Sequence, residues 1–409
     1  MTPGVISSTT QCRTTKINSR VAEAVRQRRT PILRGMVRSQ KSPLRVLRED
    51  LHRRVLIALN SVRYFFRIAR GDFRDLNRAP ILSKRAFLLI RRTEDQPLVA
   101  TSLPSPEDVW KSAEETFRER GVWPISFSYP KEISIRPQES SSGLCPIYPG
   151  HSYSFTDHKK YLETYGHYAF ALTHKKAGWD CFRHVEICYA GAIPYMPDAN
   201  LIPKHTMVHY PKDFFVQVAE HLSVKTAIAE GEVGRSLAEY FNRHLSTRAM
   251  ARYLVEAAPC LGQGRVLFVD KAAVGMPDYQ SILTLIGLKQ LLGAKVSVAY
   301  PLDYVYEDWG GEASELYGRG FGYSRVIDTG MKNENEVAGT ELGLSREALA
   351  SFGAIVVGSI TRNADVADKL LDIYPPEKTV WIHGEDNGPT AAEIAAYRKA
   401  GVTAFAREL

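Results

Sequence analysis

The sequence predicts an α/β fold of two Rossmann-like domains with a basic, helical N-terminal extension. Short apolar runs alternate with amphipathic helical stretches from about residue 106 to the C-terminus, which is typical of parallel sheets covered by helices. The charge is also divided, because residues 1–100 hold 22 Lys and Arg against 7 Asp and Glu, whereas the remainder holds 31 against 38. The basic segment is therefore distinct from the rest of the chain.

Residues 1–40 combine eight Lys and Arg with one Glu and many Ser and Thr, which predicts a disordered basic arm. An organellar transit peptide has the same composition and is the alternative. Residues 41–105 form the predicted helical extension, because apolar residues recur at helical spacing with Arg between them. Its Arg face is expected to face water or, through residues 41–92, to bind an anionic membrane surface. Nucleic acid is the less favoured partner.

Residues 106–258 are predicted to form the first domain. A helix ends near Gly121, the run VWPISFSYP alternates as a strand, and the Ser-, Gly- and Pro-containing stretch 138–150 is predicted to be a loop. The run HKKYLETYGHYAFALTH then predicts a helix and a buried strand, and AIPYMPD predicts a further short strand. The stretches PKDFFVQVAEHL and 225–257 are predicted to be helical.

Residues 259–409 are predicted to form the second domain, which begins with the strand RVLFVD. The helix SILTLIGLKQLLG is closed by Gly293, and AKVSVAYP is the next strand. The runs FGAIVVGS, KTVWIHG and VTAFA predict three more strands, with the helices ADVADKLLDIY and TAAEIAAYRKAG between them. Strands and helices that alternate in this way form a parallel sheet.

The composition also bears on the cellular compartment. Five cysteines without a C-x-x-C pair indicate free thiols in a reducing compartment rather than disulfides or a zinc knuckle. No apolar run approaches the roughly 20 residues needed to cross a bilayer, and the N-terminus lacks the apolar core of a signal peptide. We therefore expect a cytoplasmic protein, with peripheral attachment to a membrane through the basic extension as a further option.

The run KKAGWDCFRHVEICYAGAIPY places many charges directly before an apolar segment. In a helix from about Cys181 to Ala190, Arg183 and Glu186 share one face. Gly178 allows a tight turn at a strand end, where a helix N-terminus can face a phosphate. Arg183 would offer a two-pronged cation to a pyrophosphate, and Glu186 would accept the hydroxyls of a ribose. A structural i,i+3 salt bridge between the two is the alternative.

The pattern R-x-x-E-x-x-x-x-G-x-x-P, from Arg183 to Pro194, resembles the donor-binding motif of exostosin-type glycosyltransferases and of other transferases with the two-Rossmann GT-B fold. The string THKKAGWDCFRHVEI resembles a group of family-1-like bacterial and viral glycosyltransferases. In that family the motif lies in the nucleotide-binding half, so the resemblance implies donor contacts. The predicted donor-binding residues are Lys176, Gly178, Asp180, Arg183, His184 and Glu186.

Two features depart from the family. Retaining transferases with an E-x(7)-E motif carry an earlier Glu, whereas Gly178 stands eight residues before Glu186. The halves also stand in reverse order: segments similar to VLFVDKAAVGMPDYQS, HGED and FAREL come first in the family, yet FAREL ends this chain. This order indicates a circular permutation of one GT-B unit, which proteins tolerate where the termini lie close together. A truncated or fused gene is the alternative.

The second half supplies candidates for the acceptor side. DKAAVGMPDYQS follows a strand, where open α/β sheets place ligand contacts. Asp278, Tyr279 and Gln280 are therefore predicted acceptor or sugar contacts, with Asp278 as a helix N-cap the structural alternative. Arg362, in GSITRNAD at another strand end, joins them.

The run HGEDNG supplies the predicted base. It places His383 and Glu385 at a strand end, and either could deprotonate an acceptor hydroxyl. GRGFGY is predicted to be an ordinary loop, because it follows no apolar strand. His205 and His209, in KHTMVHY, alternate as in a strand but lack an acidic or Cys partner for a metal, and are predicted to be ordinary surface or core residues.

Several missing motifs narrow the function. The sequence has no D-x-D, which disfavours a metal-dependent GT-A enzyme, and neither a Walker A motif nor a strand-borne G-x-G-x-x-G. We therefore expect a metal-independent glycosyltransferase that uses a UDP- or GDP-linked sugar, requires no cofactor, and transfers to a hydroxyl of a glycan, lipid or other acceptor in an interdomain cleft. The alternative is a non-catalytic nucleotide-sugar-binding module whose basic segment associates with a membrane or nucleic acid.

Overall fold

The computed structural model describes residues 103–135, 141–147, 149, 155–221 and 230–409. Within these residues the predicted α/β class is confirmed, because parallel strands alternate with helices and six of the strands form one parallel sheet. The predicted disordered arm, 1–40, and the predicted membrane-binding stretch, 41–92, lie outside the described residues, as does the helical extension 41–105 except for its last three residues. No helix in the described ranges is long and apolar enough to cross a membrane.

The described strands are β1 (Trp123–Pro124), β2 (Ser141–Leu144), β3 (Tyr168–Leu172), β4 (Ile193–Tyr195), β5 (Val266–Val269), β6 (Val296–Val298), β7 (Ala354–Val357), β8 (Thr379–His383) and β9 (Thr403–Ala406). The larger sheet has the order β1-β9-β8-β7-β5-β6 and the smaller has the order β2-β3-β4. Every pairing within both sheets is parallel.

The described helices are α1 (Pro106–Arg120), α2 (His158–Gly166), α3 (Phe182–Tyr189), α4 (Lys212–His221), α5 (Glu230–His244), α6 (Thr247–Ala257), α7 (Tyr279–Leu292), α8 (Glu334–Val337), α9 (Arg346–Leu349), α10 (Ala364–Ile373) and α11 (Ala391–Ala400). The caps predicted from glycine are present. Gly121 ends α1 at φ 75° and Gly293 ends α7 at φ 61°.

The larger sheet is covered on both faces, as its continuous apolar strands require. Side chains alternate across a strand, so Val266 and Phe268 of β5 point to one face and Leu267 and Val269 to the other. The first face shares one continuous core with strands β3 and β4 of the smaller sheet. The second face packs on α10 and α11. The two sheets are therefore joined by a common core.

The first and the last described strands, β1 and β9, meet at one edge of the larger sheet. Trp123 of β1 lies opposite Phe405 of β9, and the Ile125 amide donates to the Ala406 carbonyl at 3.0 Å. The residues that follow β1 therefore run alongside the last residues of the chain. The strand VWPISFSYP contributes only Trp123–Pro124 to a regular ladder.

Two local predictions are wrong. The stretch 138–150, predicted to be a loop, contains β2, because β3 supplies a partner strand that Ser and Gly composition does not reveal. The register of this pair shifts between Ser141 and Leu144. The run KHTMVHY alternates as a strand does, yet it forms turns, and Met207 adopts a positive φ of 54°.

A buried ion pair fixes α7 against α8. Lys289 Nζ donates to Glu336 Oε2 at 2.7 Å and to the Met331 carbonyl at 2.9 Å, and both charged side chains are almost fully shielded from water. The Tyr306 hydroxyl donates to the other carboxylate oxygen. Both charges therefore have several partners, as buried charges require.

We expect the Lys289→Met variant to lose about 3–5 kcal/mol of the free energy of unfolding, because Glu336 then remains buried without its cation. The control is Lys159→Met, which removes one partner of the exposed pair with Glu163 and should cost less than about 0.5 kcal/mol. Urea unfolding of both variants gives the comparison. Equal losses in the two variants would contradict the role assigned to the buried pair.

Candidate functional site

A cavity of about 490 Å³ opens between residues 175–186, referred to below as the charged run, and loops of the C-terminal half. Asp386 follows β8 and Tyr279 follows the loop after β5, so this wall lies near the carboxyl ends of the parallel strands, where α/β sheets bind ligands. The lining side chains comprise cations, carboxylates and aromatic rings: Lys176, Arg183 and Arg319; Asp180, Glu186 and Asp386; and Phe127, Phe182, Tyr279, Tyr317 and Phe321.

The helix α3 forms the apolar segment that begins within the charged run, and most of it is buried. Seven of its eight residues are buried, and Arg183 is the exception. The connection from β3 to α3 carries Lys176 and Asp180 to the cavity, and the first turn of α3 adds Phe182 and Arg183. The helical spacing then places Glu186 on the same lining as Arg183, as the sequence predicts.

Glu186 lies deeper in the cavity than Arg183. Glu186 is 3% exposed, and its Oε2 atom accepts a hydrogen bond from the Tyr161 hydroxyl at 3.0 Å. Burial raises the pKa of Glu186 to about 7, while the positive charge of Arg183 acts in the opposite direction.

Gly178 and His184 are donor-binding predictions that the structure places outside the cavity lining. A Cβ atom at Gly178 would lie 2.4 Å from Glu408 Oε1, so this glycine makes room for another side chain. The His184 ring is buried between the Thr173 hydroxyl, at 2.9 Å, and the Trp179 carbonyl, at 2.8 Å. Burial lowers the pKa of His184 to about 4.

Asp180 lines the cavity, but protein groups already engage its carboxylate. One oxygen accepts from the Phe127 amide at 2.9 Å and the other from the Tyr210 hydroxyl at 2.8 Å. Burial raises the pKa of Asp180 to about 6, and the charge of Arg407 opposes that rise. Asp180 therefore serves mainly to join the charged run to its neighbours.

Arg407 organises the site, although it is not among the residues predicted from the sequence. Arg407 is 2% exposed, and its Nε donates to the Gly384 carbonyl at 2.9 Å. Nη2 donates to Asp386 Oδ1 at 2.6 Å, and Nη1 donates to the Asp180 carbonyl. The guanidinium also lies over the Phe127 ring, 4.3 Å from its centroid. One cation thus joins both walls of the cavity.

Glu408 completes this buried cluster. Its Oε1 accepts from the Asp180 amide at 2.9 Å and from Arg407 Nη1 at 3.2 Å. Burial raises the pKa of Glu408 to about 7. The signal that could have identified both residues is their place in FAREL, directly after the apolar strand β9.

The residues predicted to contact the acceptor or the sugar occupy different environments. Asp278 is the N-cap of α7, since its Oδ1 accepts from the Ser281 amide at 2.9 Å, which confirms the structural alternative. Tyr279 lines the cavity. Gln280 is buried outside the lining and lies within 3.5 Å of the Thr284 hydroxyl.

Arg362 and the two predicted bases lie outside the cavity lining. Arg362 donates to the Ala272 carbonyl at 3.0 Å and thereby holds the loop after β5. His383 is buried at the end of β8, and Glu385 accepts from the Thr361 hydroxyl at 2.5 Å. Asp386, the next residue, is the carboxylate of this turn that reaches the cavity.

The loop GRGFGY contributes to the site, although the sequence predicted an ordinary loop. Gly318 and Arg319 have positive φ values of 58° and 59°, and Gly318, Arg319 and Phe321 line the cavity. A Cβ atom at Gly318 would lie 2.3 Å from the Tyr279 hydroxyl, so glycine permits this close approach.

No family model matches the sequence, and no curated protein or solved structure is significantly similar to it. The cavity suits a ligand that carries negative charge, hydroxyl groups and an apolar face. Its three cations match the negative charge, its carboxylates can accept from hydroxyl groups, and its aromatic rings can cover the apolar face.

The raised pKa of Glu186 predicts an unusual pH dependence. Between about pH 4.5 and 7 the folded protein retains a proton that the unfolded chain has released, so the free energy of unfolding falls as pH rises. In Glu186→Gln, we expect this pH-dependent decrease in the free energy of unfolding to be about 3 kcal/mol smaller than in the wild type. Urea unfolding at pH 5 and pH 8 measures it. Glu163→Gln on α2 is the control and should keep the wild-type slope; an unchanged slope in Glu186→Gln would contradict the assignment.

Proposed function

We propose that the chain is a glycosyltransferase that moves a sugar from a UDP- or GDP-linked donor to a hydroxyl acceptor in this cavity. The observation that carries the proposal is the shared lining: Lys176, Arg183 and Glu186 form one wall, and Tyr279 and Asp386 belong to the other. The resemblance of the charged run to the donor-binding motif of exostosin-type transferases supports the same assignment.

The wall residues suit departure of a nucleoside diphosphate. Negative charge develops on the diphosphate as the glycosidic bond breaks, and Lys176, Arg183 and Arg319 would offset it with cations already in place. Arg183 would bind two phosphate oxygens with its planar fork. Glu186, one turn deeper, would accept hydroxyls of the ribose. The aromatic rings would cover the apolar faces of base and sugar.

The acceptor hydroxyl needs a base if the reaction inverts the configuration. We assign this role to Asp386 in place of His383 and Glu385, because among these three it is the one that lines the cavity. Its carboxylate would take the proton as the acceptor oxygen attacks the anomeric carbon. Arg407 would hold the carboxylate at the wall, through the contact at 2.6 Å.

We further propose that the fold is a permuted GT-B unit. The larger sheet would be one Rossmann-like half, and β2, β3 and β4 would belong to the other. The pairing of β1 with β9 supports a permutation, because it brings VWPISFSYP beside FAREL at one sheet edge. A cytoplasmic location and membrane attachment through residues 41–92 remain predictions from the sequence.

One observation favours the alternative function, a non-catalytic nucleotide-sugar-binding module. The Asp386 carboxylate is already paired with the Arg407 guanidinium at 2.6 Å, so one of its oxygens is engaged before any acceptor binds. Such a module would bind the donor in the same cavity without transfer.

A thermal-shift panel of UDP- and GDP-sugars tests the donor site. We expect one nucleotide sugar to stabilise the full chain and to bind Arg183→Gln at least about tenfold more weakly, since a charge-assisted hydrogen bond is worth about 1.5–3 kcal/mol. Arg235→Gln, on the exposed face of α5, is the matched control and should bind like the wild type. The proposal fails if no donor stabilises the chain, or if Arg183→Gln binds as tightly as the control. Stabilisation without nucleoside diphosphate release, over a panel of acceptors, would select the binding module.

A further inference from the structure

A second cavity, of about 480 Å³, lies between the first turns of α1, the end of α5 and helix α6. It shares no lining residue with the first cavity. Two histidines, His209 and His244, belong to its lining together with the aromatic side chains of Trp110 and Tyr253. The sequence gives no reason to connect these residues, which lie on separate elements.

Both histidines have a buried nitrogen that finds no hydrogen-bond partner within the described part of the chain. His209 is 2% exposed, and its Nδ1 lies 3.1 Å from the Ser126 hydroxyl. Its Nε2 and that of His244 have no hydrogen-bond partner among the residues that the structure describes. A buried polar atom left unsatisfied is costly, so these atoms indicate a ligand with complementary groups.

The protonation of His209 follows from its neighbours. The Ser126 hydroxyl also interacts with the Asp180 carboxylate and lowers its pKa, and near pH 7 an ionised carboxylate can only accept. We therefore assign the hydroxyl proton of Ser126 to the side of Asp180 and a proton to Nδ1 of His209, which donates to the hydroxyl oxygen. Burial holds the pKa of His209 at about 3, so the ring is neutral near pH 7. Its Nε2 consequently carries a lone pair and requires a donor from the ligand.

The charges on the cavity wall balance. Three cations face three carboxylates: Lys111, Arg243 and Arg252, and Glu107, Asp108 and Glu256. A wall of this kind does not favour a strongly charged ligand of either sign. A hydroxyl group can donate to His209 Nε2 and to the carboxylates, and it can accept from the arginines. Hydroxyl groups on a ligand can therefore form hydrogen bonds with each kind of polar side chain in the lining. The rings of Trp110 and Tyr253 add apolar faces.

We infer that this second cavity binds a neutral, hydroxyl-rich ligand of the saccharide type, with one ligand hydroxyl donating to His209 Nε2. The inference does not depend on the proposed donor site. A metal ion is the less suitable occupant, because no group of three His, Cys, Asp or Glu in the described ranges is placed to hold one. Asp180, which fixes the tautomer through Ser126, also lines the first cavity, so the two sites are physically connected.

The test titrates the full chain with glucose, maltose and lactose and follows thermal stability. We expect at least one of these sugars to stabilise the wild type and to bind His244→Phe about fivefold more weakly. This variant places an aromatic ring without nitrogen atoms beside Tyr240, whose ring centroid lies 4.5 Å from that of His244 in the wild type. His167→Phe, at the exposed C-cap of α2, is the matched control and should bind normally. Arg183→Gln should also bind these sugars normally, which separates this site from the donor site.

Histidine ¹⁵N spectra of the wild type provide a test that needs no variant. His209 should show an unprotonated Nε2, and its resonance should shift when the sugar binds. The inference is overturned if none of the three sugars binds, if His244→Phe binds as tightly as His167→Phe, or if zinc chloride or inorganic phosphate stabilises the chain while the sugars do not.

Discussion

The cavity depends on one buried guanidinium. Arg407 contacts the charged run through the Asp180 carbonyl, the turn after β8 through Gly384 and Asp386, and the Phe127 ring. A buried charge is tolerated only when its donors are satisfied, so moving any one of these partners has an energetic cost. The positions of the two cavity walls relative to one another are therefore set by the third residue from the end of the sequence.

The sequence predicts the strands better than the site. Strands such as β5 and β7 are recognisable because both of their faces are buried and their runs are continuously apolar. Helical spacing likewise places Arg183 and Glu186 together. Spacing cannot reveal that His184, between them, faces the core. Arg407 was missed for a different reason, since its contact with Asp180 spans 227 positions and exists only after both sheets have formed.

The polar interior is continuous across the molecule. Asp180 faces the first cavity and receives hydrogen bonds from Phe127 and Tyr210, while Ser126 links it to His209 in the second cavity. Carboxyl groups in this region have raised pKa values because burial disfavours their charged forms. A ligand that changes the charge near Asp180 would therefore act on the hydrogen bonds that reach the second cavity.

Hydrogen exchange of the backbone amides in residues 175–186 tests the central claim, that Arg407 holds the charged run in place. In Arg407→Lys the ammonium cannot reproduce the planar fork, so these amides, including that of Asp180, should exchange faster than in the wild type. Arg325→Lys is the matched control, since Arg325 donates to the Trp309 and Gly311 carbonyls at the surface, and it should leave residues 175–186 unchanged. Wild-type exchange rates in Arg407→Lys would contradict the account.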